Sequence, residues 1–131
     1  MNIKYKIILL SLILSFSIAN AQFVKKHGQL SVKGMQLVDK NQNPIVLRGV
    51  SFGWHSMWPR FYNEKAVDWL KKDFNCNIVR AAMGIEAGEH SYLKKPEFSK
   101  EKIGAVIKGA IKSDIYVIID WHSHNVNLKE A

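Results

Sequence analysis

One cysteine, Cys76, is the only thiol in the 131-residue chain, so no internal disulfide can form. Cys76 sits just before an apolar stretch and reads as a small buried residue. Long apolar runs are also scarce. Residues 7–18 form one, and no later segment is long or apolar enough to span a bilayer. Acid is the minority charge, 11 Asp and Glu against 19 Lys and Arg, a formal net of +8. The lysines are nevertheless scattered, with isolated pairs at Lys25-Lys26, Lys71-Lys72 and Lys94-Lys95. A basic stripe interleaved with aromatics is missing, which argues for a solvated surface and against a nucleic-acid partner. Internal repeats and low-complexity tracts are absent as well.

What is present begins with a leader. Lys4 and Lys6 precede the apolar run, and Ala19-Asn20-Ala21 fits the small-x-small rule for cleavage, so residues 1–21 read as a signal peptide and the product as secreted or periplasmic. A retained anchor is the other reading, and the run is short for a bilayer core of roughly 30 Å. After cleavage no membrane partner is expected. Residues 22–131 remain, with a net charge of +6 and the length of one small domain.

The alternation of patterns sets the expected topology. Residues 22–28 look like a polar lead-in. Two short apolar runs, 30–32 and 35–38, flank Lys33-Gly34 and predict a hairpin. Asp39 to Pro44 form a dense turn cluster. Residues 45–51 read as a strand entering an aromatic segment, 52–62. Asn63 is placed to cap a helix carrying Val67, Leu70 and Phe74 on one stripe, ending near Asn75. Residues 78–83 form a second strand, and a loop rich in glycine and charge spans 84–96. Ser99 is expected to cap a second helix, with Ile103, Val106, Ile107, Ala110 and Ile111 on its apolar side, ending at Ser113-Asp114. A third strand covers 115–120. Hairpin, then β-α-β-α-β, implies parallel units with right-handed crossovers.

The third strand carries the strongest sign of chemistry. Its β-formers give way to Asp120, Trp121, His122, Ser123 and His124, polar and aromatic groups that packing alone does not require. In parallel barrels the carboxyl ends of strands hold the active site. Alternation puts Tyr116, Ile118, Asp120 and His122 on one face and Val117, Ile119 and Trp121 on the other. Arg80 lies inside an apolar run and needs a paired charge if it points inward. Asp120, one strand over, is the candidate, and an outward salt bridge to a helix is the alternative. Asp120, His122 and His124 have D-x-H-x-H spacing, which admits a metal site. A hydrogen-bonded core role for His124 stays open beside it. Trp54, His55, Trp58 and Tyr62 follow the first strand closely. Flat aromatic faces suit sugar rings, and a loop packed over the core is the plainer reading, favoured for Phe52 and Phe61. Trp69, within the first helix, reads as packing.

Three segments taken together, LRGV at 47–50, VRAAM at 79–83 and VIIDWH at 117–122, in this order and at these separations, resemble the amino-terminal part of family 5 glycoside hydrolases of the cellulase or endo-β-1,4-glucanase type. The resemblance covers essentially the whole of residues 22–131. It implies the first three β/α units of a (β/α)8 barrel, preceded by a β-hairpin that closes its bottom. It implies no cofactor and no metal for the chemistry, a β-glucan substrate such as cellulose, and a monomeric full-length enzyme. Arg80 matches the arginine beneath the catalytic nucleophile. His122 matches the active-site histidine that steadies sugar and carboxylate. Trp54, His55 and Trp58 fall in a loop that supplies sugar subsites, and His124 joins them as a substrate-binding candidate.

The resemblance also implies what is missing. Retaining glycosidases use two carboxyls roughly 5–5.5 Å apart, and in this family both glutamates follow later strands, one within Asn-Glu-Pro. That motif does not occur here, and neither Glu64, Glu86 nor Glu89 matches either glutamate. The expectation is therefore a fragment, an incomplete barrel with open parallel edges that is poorly soluble and inactive alone. Two other readings stand beside it: a metal-dependent hydrolase built on Asp120, His122 and His124, and a non-catalytic carbohydrate-binding module using Trp54 and Trp58.

Overall fold

The computed structural model describes residues 22–125, so the expected signal peptide lies outside the described residues. The chain runs α1 (Phe23–His27), β1 (Ser31–Lys33), β2 (Gln36–Val38), β3 (Gly49–Trp54), a 3-10 turn (Pro59–Phe61), α2 (Glu64–Phe74), β4 (Ile78–Gly84), α3 (Pro96–Ser113) and β5 (Tyr116–His122). β1 and β2 form the expected antiparallel hairpin, with Gly34 at φ +60° in its turn. β3, β4 and β5 form one parallel sheet in that order. Each crossover is a helix, as parallel neighbours require. Among the described residues β3 and β5 are free edges, so the sheet is an open arc.

The helices begin and end for local reasons. The Asn63 side chain accepts the Ala66 N–H at 2.9 Å and caps α2. Asn75 and Asp114 adopt the left-handed conformation at φ 51° and 54° and terminate α2 and α3. Both are residue types that tolerate this region. Val67 and Leu70 of α2, and Ile103, Val106 and Ala110 of α3, bury one side of the sheet with Phe52, Val79, Ala81 and Ile115. Each such aliphatic side chain contributes about 1.5–3 kcal/mol when fully buried. Cys76 is free and buried in the same cluster, and burial pushes its thiol pKa up.

Four sequence expectations need correction. Residues 22–28 are not an irregular lead-in, because they contain α1. Its Val24 N–H reaches the Asp114 carboxylate at 3.0 Å, and Phe23 meets Tyr116 edge-on at 6.0 Å. The first strand starts at Gly49, not at residue 45. The Asn77 side chain takes the Arg48 N–H at 2.7 Å and donates to the Val46 carbonyl at 3.3 Å, so those backbone groups pair with an amide rather than a ladder. Ser99 does not cap α3. Pro96 occupies the first turn, and the Ser99 hydroxyl bonds back to the Lys95 carbonyl at 2.9 Å. The third strand runs from Tyr116 to His122, two residues past Asp120.

Backbone proximity dictates one glycine. A Cβ on Gly49 would lie 1.6 Å from the Ile78 carbonyl oxygen, so β3 and β4 can meet there only without a side chain.

Candidate active site at the carboxyl end of the sheet

Arg80 sits mid-strand in β4 and would be costly without acceptors. It finds them on both neighbours. Its Nη1 donates to the Ser51 hydroxyl of β3 at 2.8 Å, and its Nη2 forms an ion pair with Asp120 of β5. The register pairs Ala82 with Asp120 and Gly84 with His122. Arg80 therefore starts two and four residues below these partners, and its long side chain climbs toward the carboxyl end, at about 3.3 Å per residue. The outward salt bridge to a helix is not what forms.

His122 completes the group. Its Nδ1 lies 2.9 Å from Asp120 and 3.1 Å from Arg80 Nη2. These two contacts select opposite tautomers. A proton on Nδ1 donates to Asp120 and leaves Nε2 an acceptor, while a bare Nδ1 accepts from Arg80 and leaves Nε2 a donor. Arg80, Asp120 and His122 are all half-buried, so the cluster has access to solvent while its charges stay paired.

Trp54 joins them through a β-bulge. Ser51 pairs with Arg80 but Trp54 pairs with Ala82, so β3 spends three residues where β4 spends two. Gly53 takes up the extra residue at φ +71°. The insertion flips the alternation, and Trp54 ends on the same face as Ser51 rather than the opposite one. Its ring lies 4.8 Å from His122 and 5.4 Å from His124, and the two imidazoles are 5.5 Å apart edge-on.

Tyr62 staples that bulge. Its hydroxyl accepts the Ala82 N–H at 3.0 Å and donates to the Gly53 carbonyl. The ring is buried in the core, and desolvation lifts the phenol pKa to about 12. The sequence marks Tyr62 only as one of several aromatics, and Ser51 only as the end of the first strand, with no role in the site. The signal available was Phe52-Gly53-Trp54, a glycine before an aromatic inside a strand, which marks a bulge.

His55 and Trp58 depart from expectation. His55 is 0% exposed and cannot touch a ligand in solvent. Its Nδ1 accepts the Gly84 N–H at 3.1 Å, so the proton sits on Nε2, which donates to Ser99 at 2.8 Å. It is a buried tie between the loop after β3, the end of β4 and the first turn of α3. Trp58 is half exposed but lines an apolar hollow of about 500 Å³ with Val50, Phe52, Phe61, Trp69 and Leu70. Trp54, Arg80, Asp120, His122 and His124 do not line that hollow, so Trp54 and Trp58 do not form one binding strip. Trp69, read as packing, meets the Phe74 ring edge-on at 4.8 Å but is half exposed on the hollow's wall.

The D-x-H-x-H run does not gather as three ligands. Asp120 and His122 share Arg80, and His124 turns toward Trp54. Among the described residues no three His, Cys, Asp or Glu side chains converge as metal ligands. Carboxylates near the cleft are also engaged: Asp120 by Arg80 and His122, and Glu86 by Ser123 and the Asn125 N–H.

The chain is similar to known proteins over most of its length. Residues 38–131 match the model of the cellulase family, glycosyl hydrolase family 5. An endoglucanase of Clostridium saccharobutylicum is 40% identical over 95 residues, which are 72% of this chain and 21% of that protein. A solved structure from Cytophaga hutchinsonii superposes with a TM-score of 0.73 at 44% identity, covering 78% of this chain and 33% of that one. The catalytic domain of Thermobifida fusca endoglucanase Cel5A, solved with cellotetraose, gives 0.68 at 31% identity over 76% of this chain and 32% of its own. The sequence thus spans about a fifth of the first relative and a third of the solved barrels.

Proposed function

The chain belongs to glycosyl hydrolase family 5, and from that premise we propose that it supplies the amino-terminal β/α units of a secreted, retaining endo-β-1,4-glucanase. The observation that carries the reading is the meeting of Arg80, Asp120 and His122 at the carboxyl end of parallel strands, beside the Trp54 ring. Trp54 and His124 offer flat faces to a glucose ring. His122 Nε2 is left to hold a hydroxyl or a carboxylate. Arg80 is a fixed cation with which a nucleophilic carboxylate would pair.

The two carboxyls that retaining hydrolysis needs would come from outside residues 22–125. In that scheme one glutamate attacks the anomeric carbon and the other protonates the departing glycosidic oxygen. Water then releases the sugar with its configuration kept. Residues 22–131 alone would have the cleft floor without the reacting pair, and so no activity.

The test uses the full-length enzyme that contains this sequence. It is expected to cut soluble β-1,4-glucan internally and to release the β-anomer first, as read by proton NMR, with no loss in chelator. Arg80→Lys, which keeps the charge but not the forked geometry, should lower kcat by roughly a hundredfold. Loss of activity in chelator would instead favour the metal-dependent hydrolase. Glucan binding by an isolated, cooperatively folded 22–131 polypeptide would favour the binding module.

A further inference from the structure

We propose that Glu86 is a positioning residue that holds the loop after β5 so that His124 and Trp54 form one sugar-stacking wall, an inference that rests on the glucanase reading above. The Ile85 N–H donates to the His122 carbonyl at 3.1 Å and extends the β4-β5 ladder by one bond. There the ladder ends, and the next backbone donors of the β5 side need other acceptors. Glu86, one residue on, supplies one. Its Oε1 accepts from the Ser123 hydroxyl and from the Asn125 N–H at 3.3 Å. The Asn125 N–H also approaches the Ser123 hydroxyl oxygen at 3.2 Å. Residues 123 and 125 thus both turn onto one carboxylate, and His124 lies between them.

That geometry fixes where His124 can go. With its flanking residues tied to the β4-α3 loop, its ring stays 5.4 Å from Trp54 and 5.5 Å from His122. The Ser123 hydrogen bond, helped by backbone N–H groups, holds the Glu86 carboxyl below its usual pKa, so the clamp is charged at neutral pH. Glu89, on the same loop, is exposed and makes no such bond among the described residues, which provides a control with equal charge.

The experiment compares variants of the full-length enzyme on cellotetraose. Glu86→Ala is expected to raise KM about fivefold while kcat falls less than twofold, the mark of lost binding rather than lost transition-state contact. His124→Ala should give the same split. The double variant should add little, because both remove one wall. Glu86→Gln, which keeps the acceptor oxygen, should recover most of the loss, and Glu89→Gln should match the parent. Additive KM effects, or a fall in kcat as large as the rise in KM, would overturn the proposal. Hydrogen exchange at the Asn125 amide reads the clamp without turnover, and Glu86→Ala should speed it at least tenfold. An unchanged rate sinks the clamp. If the parent cleaves no β-glucan, the functional reading fails on its own and the exchange rate alone decides the clamp.

Discussion

The two faces of the β3-β4-β5 sheet are finished to different degrees. Toward the helices, Phe52, Val79 and Ala81 are buried against Val67, Ile103, Val106 and Ala110. On the other face the side chains that meet are Ser51, Arg80, Asp120 and His122, and Ile118 is 50% exposed. At its centre the first face satisfies itself by apolar contact among the described residues, although Ile119 at its β5 edge stays 58% exposed. The second satisfies only its charges and leaves apolar surface open. The apolar core and the charged cluster therefore lie on opposite sides of the same strands, and substitutions can tell them apart.

The sharpest way to break that comparison is to put a charge on the finished side. Val106 is fully buried in α3. Val106→Asp would leave a carboxylate with no partner there and should cost about 4 kcal/mol or more. The midpoint of urea unfolding of the full-length enzyme reads it. A small loss would mean that the helix face is not where the stability resides. Arg80→Lys, by contrast, should change turnover far more than it changes that midpoint.

The finished face was also the legible one. Asn63, Val67 and Leu70 announced α2 because cap and stripe are local signals, and residues 78–83 and 115–120 announced β4 and β5 by their β-formers. Arg80 and Asp120 could be paired in advance because parallel neighbours and side-chain alternation leave few geometries. What stayed hidden depended on partners distant in sequence. α1 has five residues and forms against Asp114 and Tyr116. Residues 45–48 look like a strand until Asn77, some thirty positions on, takes their backbone groups. His55 reads as a binding residue because sequence alone does not show that Ser99 and Gly84 enclose it. The separation of Trp54 from Trp58 hangs on the bulge at Gly53, a one-residue event that no hydrophobic period records.

Tyr62 joins the two faces and offers a second, smaller test. Its ring belongs to the core while its hydroxyl holds the bulge that aims Trp54 into the cleft. Tyr62→Phe keeps the ring and strips the Ala82 N–H and the Gly53 carbonyl of their partner. A loss of about 2–3 kcal/mol is expected from two buried polar groups left unpaired. Because the bulge would relax, KM for cellotetraose should rise as well. A stability loss with unchanged KM would show that the bulge keeps its shape without the hydroxyl, and that the faces are less coupled than the hydrogen bonds imply.

The smallest effect separates the faces by pH. His55 is the titratable side chain enclosed behind the strand ends, and burial holds its imidazole below the ordinary value of 6.5. Protonation would set an Nδ1–H against the Gly84 N–H, two donors facing each other. The unfolded chain has no such conflict and takes up its proton as pH falls through 6.5. The unfolded state then binds more protons, so stability is full above that pH and declines below it, by at most about 1.4 kcal/mol per pH unit. The decline stops once the folded histidine titrates too. Asp39 and Glu86 also have lowered pKa values, but their contributions are lost only as pH falls below their ordinary values of 3.8 and 4.5. Between 6.5 and 4.5 the signal from His55 is thus clear of theirs. His55→Asn keeps an acceptor for Gly84 and has no imidazole to protonate, so it should be less stable at neutral pH yet show a flatter slope in urea titrations across that window. An identical slope in both proteins would show that His55 is not the source of the acid sensitivity.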